Sequence, residues 1–199
     1  QIEYVNKKIK HKRGVIYSPT ASGKSATMAA VVKCLPDDVP VLILANRKSL
    51  VDQNYDELNK WGVKNLGKVY DKACNPNTVT CATVQSCHKI EDFLAKVKVV
   101  IVDEVHEMTS PGAKKVYTKL KNASVRICMS ATPFTGDVQK YTVKGWFGAP
   151  FKVSCAADGI LKTKELQDRE ILSSVDCTFY RITEPQLPYE VYIDAGTKG

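Results

Sequence analysis

Eight residues, Ser18-Pro19-Thr20-Ala21-Ser22-Gly23-Lys24-Ser25, stand between the apolar run Val15-Ile16-Tyr17 and a helix-compatible stretch, Ala26 to Cys34. Strand, tight loop and helix in that order constrain a chain strongly, because the backbone must turn at once from a sheet into a helix. Successive N–H groups of such a loop, together with the positive end of the following helix, converge on one point and cradle a phosphate. Here the cradle comprises Thr20, Ala21, Ser22, Gly23 and Ala26, with Lys24 reaching the β- and γ-phosphates and the Ser25 hydroxyl ligating Mg²⁺. The general pattern opens on Gly, and this chain has Ser18 there. An ordinary helix N-terminus is the competing reading of the same residues.

A second signature narrows the choice. Val97-Lys98-Val99-Val100-Ile101-Val102 is a run of mostly β-branched residues, the pattern of a buried strand, and it ends in Asp103-Glu104-Val105-His106. Carboxylates at the carboxyl end of a buried strand sit where open α/β sheets bind ligands. Asp103, 79 positions after Lys24, is expected to hold the Mg²⁺ that bridges the phosphates, and Glu104 to orient and deprotonate the attacking water. His106 suits a hydrogen-bond relay better than a metal ligand, since Mg²⁺ prefers oxygen. Adjacent carboxylates repel, so an ion or a shared proton is needed if both are sequestered. The alternative is a solvated acidic turn.

The remaining pattern is α/β. Strands are expected at Gly14–Tyr17, Val41–Ala45, Leu66–Tyr70, Thr78–Ala82, Val97–Val102 and Val125–Met129, with helices at Glu3–Lys12, Ala26–Cys34, Leu50–Trp61, Val84–Leu94 and Gly112–Lys121. Alternating strands and helices imply a mainly parallel sheet covered on both faces. After Pro150 the character changes, and a boundary falls near residues 150–157. The 199 residues contain no apolar run of about 18, which excludes a membrane-spanning helix, and Gln1 to Arg13 lack the apolar core of a signal peptide. The start at Gln1 without Met leads us to expect further residues upstream.

The net charge of +8 suits an anionic partner, with basic clusters at Lys7, Lys8, Lys10, Lys12 and Arg13 and at Lys114, Lys115, Lys119 and Lys121. A solvated face explains the second cluster equally well. None of the seven cysteines forms a Cys-x-x-Cys pair, which argues against a zinc ribbon. Cys34 and Cys128 lie in apolar stretches and are expected in the core. Reduced thiols point to a cytoplasmic setting.

With these motifs on the page, the chain resembles the first RecA-like domain of superfamily 2 helicases, in the DEAD/DEAH-like group, and most of all the phage helicases that remodel branched DNA in recombination and repair. The resemblance covers roughly residues 1–135. It implies a RecA-like three-layer sandwich over residues 1–154, with 155–199 forming a linker and the start of an incomplete second RecA-like domain. It further implies ATP and Mg²⁺ as ligands and single-stranded or branched DNA as partner, with the second domain of the same chain required for activity. Gln1, 18 positions before Pro19, matches a family Gln that reads the adenine edge through its carboxamide.

Asn46-Arg47-Lys48-Ser49-Leu50-Val51-Asp52-Gln53 is similar to a family motif that touches the nucleic-acid backbone, and Ala82-Thr83-Val84-Gln85-Ser86 to a later strand-contact motif. This assigns Asn46, Arg47, Thr83, Gln85 and Ser86 to the strand; helix capping is the plain alternative for Thr83 and Ser86. Ser130-Ala131-Thr132 matches the motif that couples hydrolysis to movement, with Ser130 and Thr132 expected close to Asp103 and His106. Trp146 and Phe147 are expected to pack rather than stack on a base. The implied activity is that of an ATP-dependent DNA helicase or translocase. An RNA helicase of the same superfamily, a restriction-enzyme motor subunit and a non-motor ATP-binding switch remain alternatives.

Overall fold

The computed structural model describes residues 12–17, 23–132, 136–148 and 150–152. Among them eight strands form one sheet: β1 (Arg13–Tyr17), β2 (Val41–Ala45), β3 (Leu66–Tyr70), β4 (Ala73–Asn75), β5 (Val79–Thr83), β6 (Val99–Asp103), β7 (Val125–Ser130) and β8 (Pro150–Lys152). Their order is β4-β3-β5-β2-β6-β7-β1-β8, and every neighbouring pair is parallel except β3 with β4. The helices are α1 (Lys24–Lys33), α2 (Lys48–Lys60), α3 (Glu91–Lys96), α4 (Pro111–Lys119) and α5 (Asp137–Phe147), with 3₁₀ turns at Val84–Ile90 and Val105–Glu107.

The period of two in the strands sorts their side chains onto two cores. Leu42 and Leu44 of β2, with Val100 and Val102 of β6, pack beneath Cys87, Leu94, Val116, Tyr117, Val143 and Phe147, which come from the first 3₁₀ turn and from α3, α4 and α5. Val41, Ile43 and Ala45, with Val99 and Ile101, face the opposite way onto Met28 and Val31 of α1 and Val51 and Leu58 of α2. Both faces are therefore covered, and β2, β5 and β6 are buried along their whole length. Each fully buried aliphatic side chain is worth about 1.5–3 kcal/mol, so continuous β-branched runs in the sequence become the central strands.

Parallel pairing brings the carboxyl ends of the strands to one edge. Register sets Tyr17 of β1 beside Ser130 of β7, Asp103 of β6 beside Met129, and Ala45 of β2 beside Thr83 of β5. The residues that follow these strands therefore lie side by side, whatever their separation in sequence.

Several expectations need correcting. The continuous helix expected over Val84–Leu94 is a 3₁₀ turn followed by short α3. Local bonds from Cys87 Sγ to the Thr83 carbonyl and between His88 Nδ1 and the Gln85 carbonyl compete with the α-helical ladder there. Cys34 lies at the C-cap of α1 and is exposed, whereas Cys128 is fully buried. Trp146 and Phe147 belong to a helix that the sequence did not announce. Phe147 is buried edge-on against Tyr117 and Trp146 packs beside the same ring, so both serve the core. Lys119 pairs with Glu91, while Lys114, Lys115 and Lys121 form a solvated face. The expected helix Glu3–Lys12 and the boundary near residues 150–157 lie almost wholly outside the described residues.

Gly67 in β3 is required by close approach: a Cβ there would collide with the carbonyl oxygen of Asn75 and the backbone nitrogen of Asn77. Gly67→Ala is expected to destabilise by about 1–3 kcal/mol through backbone displacement. Gly145→Ala, where a Cβ meets open space in α5, is expected to stabilise by about 0.5–1 kcal/mol. Urea denaturation of the two variants checks this, and equal midpoints would contradict it.

Candidate active site

Gly23 precedes α1 with φ 85° and ψ 31°, a left-handed conformation that glycine adopts at no steric cost. It turns the chain so that α1 starts at Lys24, and no side chain caps this end of the helix. Thr27 closes the first turn onto the Gly23 carbonyl through both its N–H and its hydroxyl. The N–H groups of Lys24, Ser25 and Ala26 precede the first bond of the helical ladder and carry the positive end of its dipole. That is the local chemistry of an anion site.

The acidic side of the site grows from the end of β6. Asp103 is 8% exposed, and its Oδ2 accepts a 3.1 Å hydrogen bond from Asn54 Nδ2 of α2. Burial pushes its carboxyl above the usual carboxylate range; the Asn54 hydrogen bond works against that, the neighbouring Glu104 charge adds to it, and Lys24 opposes it. Glu104 then adopts φ 49° and ψ 57°, rare for a residue with a side chain and a strain of order 1–3 kcal/mol of the kind found at functional sites. Its carboxylate is gripped from two sides. Oε1 lies 2.6 Å from Lys24 Nζ, and Oε2 accepts a 3.1 Å bond from Ser130 Oγ. His106 Nδ1 lies 2.9 Å from the same Ser130 Oγ and 3.4 Å from Glu104 Oε2. A tautomer of His106 with its proton on Nδ1 donates to Ser130 Oγ and leaves the hydroxyl proton for Glu104, and Thr132 N–H donates to the same Ser130 oxygen at 3.1 Å.

Gly23, Lys24, Ser25, Ala26, Asn54, Asp103 and Glu104 line one cleft of about 450 Å³. The motifs expected to converge are thus in one place: the end of the phosphate loop, the paired carboxylates, and Ser130 with His106. The donors on offer to a metal, the Ser25 hydroxyl and the Asp103 carboxylate, are oxygens only. That set fits Mg²⁺ rather than a metal that prefers nitrogen or sulfur. Gln1, Thr20, Ala21 and Ser22 lie outside the described residues.

The expected strand-contact residues divide. Asn46 and Arg47 follow β2, and Gln85 lies in the turn after β5; Gln85 Nε2 approaches Asn46 Oδ1 at 3.4 Å. Arg47 and Gln85 are exposed. Thr83 and Ser86 are buried, and the Ser86 hydroxyl accepts a bond from the Asp71 N–H. Thr83, at the N-cap position of the turn, makes no side-chain cap bond.

Two residues escaped sequence reasoning. Asn54 occupies a buried position between Val51 and Leu58 on α2, and a polar side chain in an apolar stripe was the available sign of a buried partner. Glu107 receives Arg47 Nη2 at 3.0 Å and Asn46 Nδ2 at 3.5 Å, and nothing local in the sequence indicates that pairing.

The family model described as type III restriction enzyme, res subunit, matches residues 1–135. The chain is 28% identical over 138 residues to the DNA 3'-5' translocase XPB2 of Sulfurisphaera tokodaii, covering 69% of this chain and 31% of that protein. Among solved structures it is similar to the UvsW helicase of bacteriophage T4, with a TM-score of 0.66 and 20% identity over 75% of this chain and 57% of that one. It is also similar to the Sulfolobus solfataricus SWI2/SNF2 ATPase core in complex with dsDNA, with a TM-score of 0.59 and 17% identity over 74% of this chain and 34% of that one. The chain therefore spans about a third of the translocase and just over half of the phage helicase. The structural likenesses establish a RecA-like helicase fold.

The weakened acidity of buried Asp103 has a thermodynamic sign. The folded chain holds the Asp103 proton more tightly than the unfolded chain, whose value is 3.8. Stability from the protonated form is fully present below 3.8 and is lost as pH rises through the folded value. At neutral pH the folded protein therefore bears the cost of an ionised, buried carboxylate. Asp103→Asn, which keeps an oxygen for Asn54, is expected to raise Tm at pH 7, by roughly 2–4 °C for each kcal/mol relieved, with the gain shrinking towards acid pH. Thermal melts of both proteins across the acid range check this; a lower Tm for the variant at pH 7 would contradict it.

Proposed function

Because the chain belongs to the family of the type III restriction enzyme res subunit, we propose that it is the first motor domain of an ATP-dependent DNA helicase or translocase. The observation that carries this reading is the meeting of Lys24 with Glu104 at 2.6 Å, in a cleft that also holds Ser25 and Asp103. A phosphate-binding cation and the residue suited to activate water are thus already neighbours.

The geometry supports an ordered reaction. The Lys24 ammonium donates to Glu104 Oε1. A triphosphate entering at the N-terminus of α1 offers Lys24 a stronger anion, and the ammonium moves onto phosphate oxygen. That transfer releases Oε1 to accept a proton from the attacking water, while Ser130 keeps Oε2 in place. Mg²⁺, when bound, would be held by Ser25 and Asp103 and would supply charge neutralisation for the phosphates. Asn54 keeps the Asp103 carboxylate oriented. The His106–Ser130–Glu104 chain joins the reacting group to the end of β7, from which loss of the γ-phosphate can be relayed as a change of position.

Phosphoryl transfer of this kind gains about 10³–10⁵ from an arginine brought to the γ-phosphate. We assign that arginine to a second RecA-like domain, so these 199 residues alone are expected to bind ATP and hydrolyse it slowly. DNA as partner is supported by the names of the similar translocase and of the similar ATPase core in complex with dsDNA. The resemblance of the motifs to those of phage helicases favours a role in remodelling DNA during recombination or repair. Exposed Arg47 and Gln85 beside Asn46 suit contact with the phosphate backbone, hence binding that ignores sequence and weakens with salt. Unpaired thiols at Cys34, Cys74, Cys81, Cys87 and Cys128 support a cytoplasmic setting.

The full-length protein is expected to hydrolyse ATP faster with single-stranded or forked DNA than without, and faster than with matched RNA. Glu104→Gln should retain ATP binding and lose about 10²–10⁴-fold in turnover, whereas Lys24→Ala should lose both. Steady-state ATPase assays with a nucleotide-binding measurement test this. A rate unmoved by any nucleic acid would favour a simple ATP-holding switch, and a fully active Glu104→Gln would remove the assigned base.

A further inference from the structure

Glu107 stands three residues beyond Glu104, at the end of the 3₁₀ turn Val105–Glu107, and its N–H closes that turn on the Glu104 carbonyl at 2.9 Å. Its carboxylate points away from the nucleotide cleft. Oε1 pairs with Arg47 Nη2 at 3.0 Å, and Oε2 is approached by Asn46 Nδ2 at 3.5 Å. Arg47, Glu104, His106, Glu107 and Thr132 line a second open cleft of about 500 Å³. The cation expected to meet a phosphate backbone is therefore already occupied by an internal anion.

The two partners are held unequally. The Arg47 side chain is 67% exposed, whereas that of Glu107 is 25% exposed and anchored on a tight turn beside Asn46. The guanidinium is the member free to swing away, and the carboxylate stays. A phosphate drawn to Arg47 with the pair intact would also face the Glu107 charge at close range, which is unfavourable.

We infer that Glu107 is an internal competitor for the strand: the phosphate backbone of a bound nucleic acid must take Arg47 from Glu107, and this exchange sets the threshold for strand engagement. The inference deepens the motor reading above and rests on it. It makes Glu107 a residue that acts through Arg47. It also gives one short turn two exchangeable ion pairs, Glu104 with Lys24 on the nucleotide side and Glu107 with Arg47 on the strand side. In each, a protein carboxylate holds a cation until a phosphate arrives.

A double-mutant cycle in the full-length protein tests the exchange. Anisotropy of a labelled single-stranded oligonucleotide is titrated at fixed salt with wild type, Glu107→Gln, Arg47→Ala and the double variant. Glu107→Gln is expected to bind roughly two- to fivefold more tightly, the range for release of an exposed ion pair. That gain should shrink in the Arg47→Ala background, because its route runs through the guanidinium. A gain of equal size in both backgrounds would show only a general charge effect and overturn the inference. Weaker binding by Glu107→Gln would overturn it too, by making Glu107 a support that holds Arg47 in place for the strand. Failure of wild type and all variants to bind single-stranded DNA, duplex DNA or RNA would bring down the motor reading itself and this inference with it.

Discussion

Lys24 and Glu104 are 80 positions apart in sequence and 2.6 Å apart in space, with their side chains 15% and 25% exposed. Partial shelter makes either charge costly to leave alone, so the pair needs both partners, or a phosphate in place of one. Their meeting depends on the sheet. Lys24 opens the helix after β1 and Glu104 ends the run of β6, and β7 lies between those two strands. Only a parallel arrangement in the observed register brings both carboxyl ends to the same edge. The hydrophobic runs that bury β6 and β7 therefore also fix the distance on which the chemistry depends.

From that pair the functional surface spreads through one short turn. The left-handed backbone at Glu104 directs its carboxylate towards α1, and the turn that follows carries His106 to Ser130 and Glu107 to Arg47. Four residues thus reach the start of α1, the end of β7 and the N-cap of α2. Such an arrangement transmits occupancy of one cleft to the other through short, discrete contacts, without requiring the core to deform. The two buried faces of the sheet are close-packed and resist deformation.

Much of this was legible in the sequence, and the legible parts share a cause. Central strands such as Val41–Ala45 and Val99–Asp103 are buried on both faces, so burial alone selects long β-branched runs there. Lys24, Asp103 and Glu104 were legible because motifs of fixed spacing encode a strand end followed by chemistry. Weak local signals account for what was missed. β4 is a three-residue antiparallel edge strand with little burial. Among the described side chains of α5, Val143 and Phe147 are buried, and they sit among Thr142, Gly145 and other poor helix formers, so tertiary packing and not propensity makes the helix. Glu107 was invisible because its partners come from another strand's loop, and nothing beside it in the sequence marks that pairing. Thr83 and Ser86 carried the motif, and their burial at the end of β5 and in the 3₁₀ turn is a property of backbone geometry that composition does not report.

The central claim is that Lys24 guards Glu104 until a triphosphate takes it. A crystal structure of the protein with Mg²⁺ and a non-hydrolysable ATP analogue tests this most directly. The account predicts Lys24 Nζ within hydrogen-bond distance of phosphate oxygen and no longer in contact with Glu104, whose freed carboxylate faces the position of the attacking water. A bound analogue with the Lys24–Glu104 pair still closed, or a triphosphate seated away from the N-terminus of α1, would contradict it.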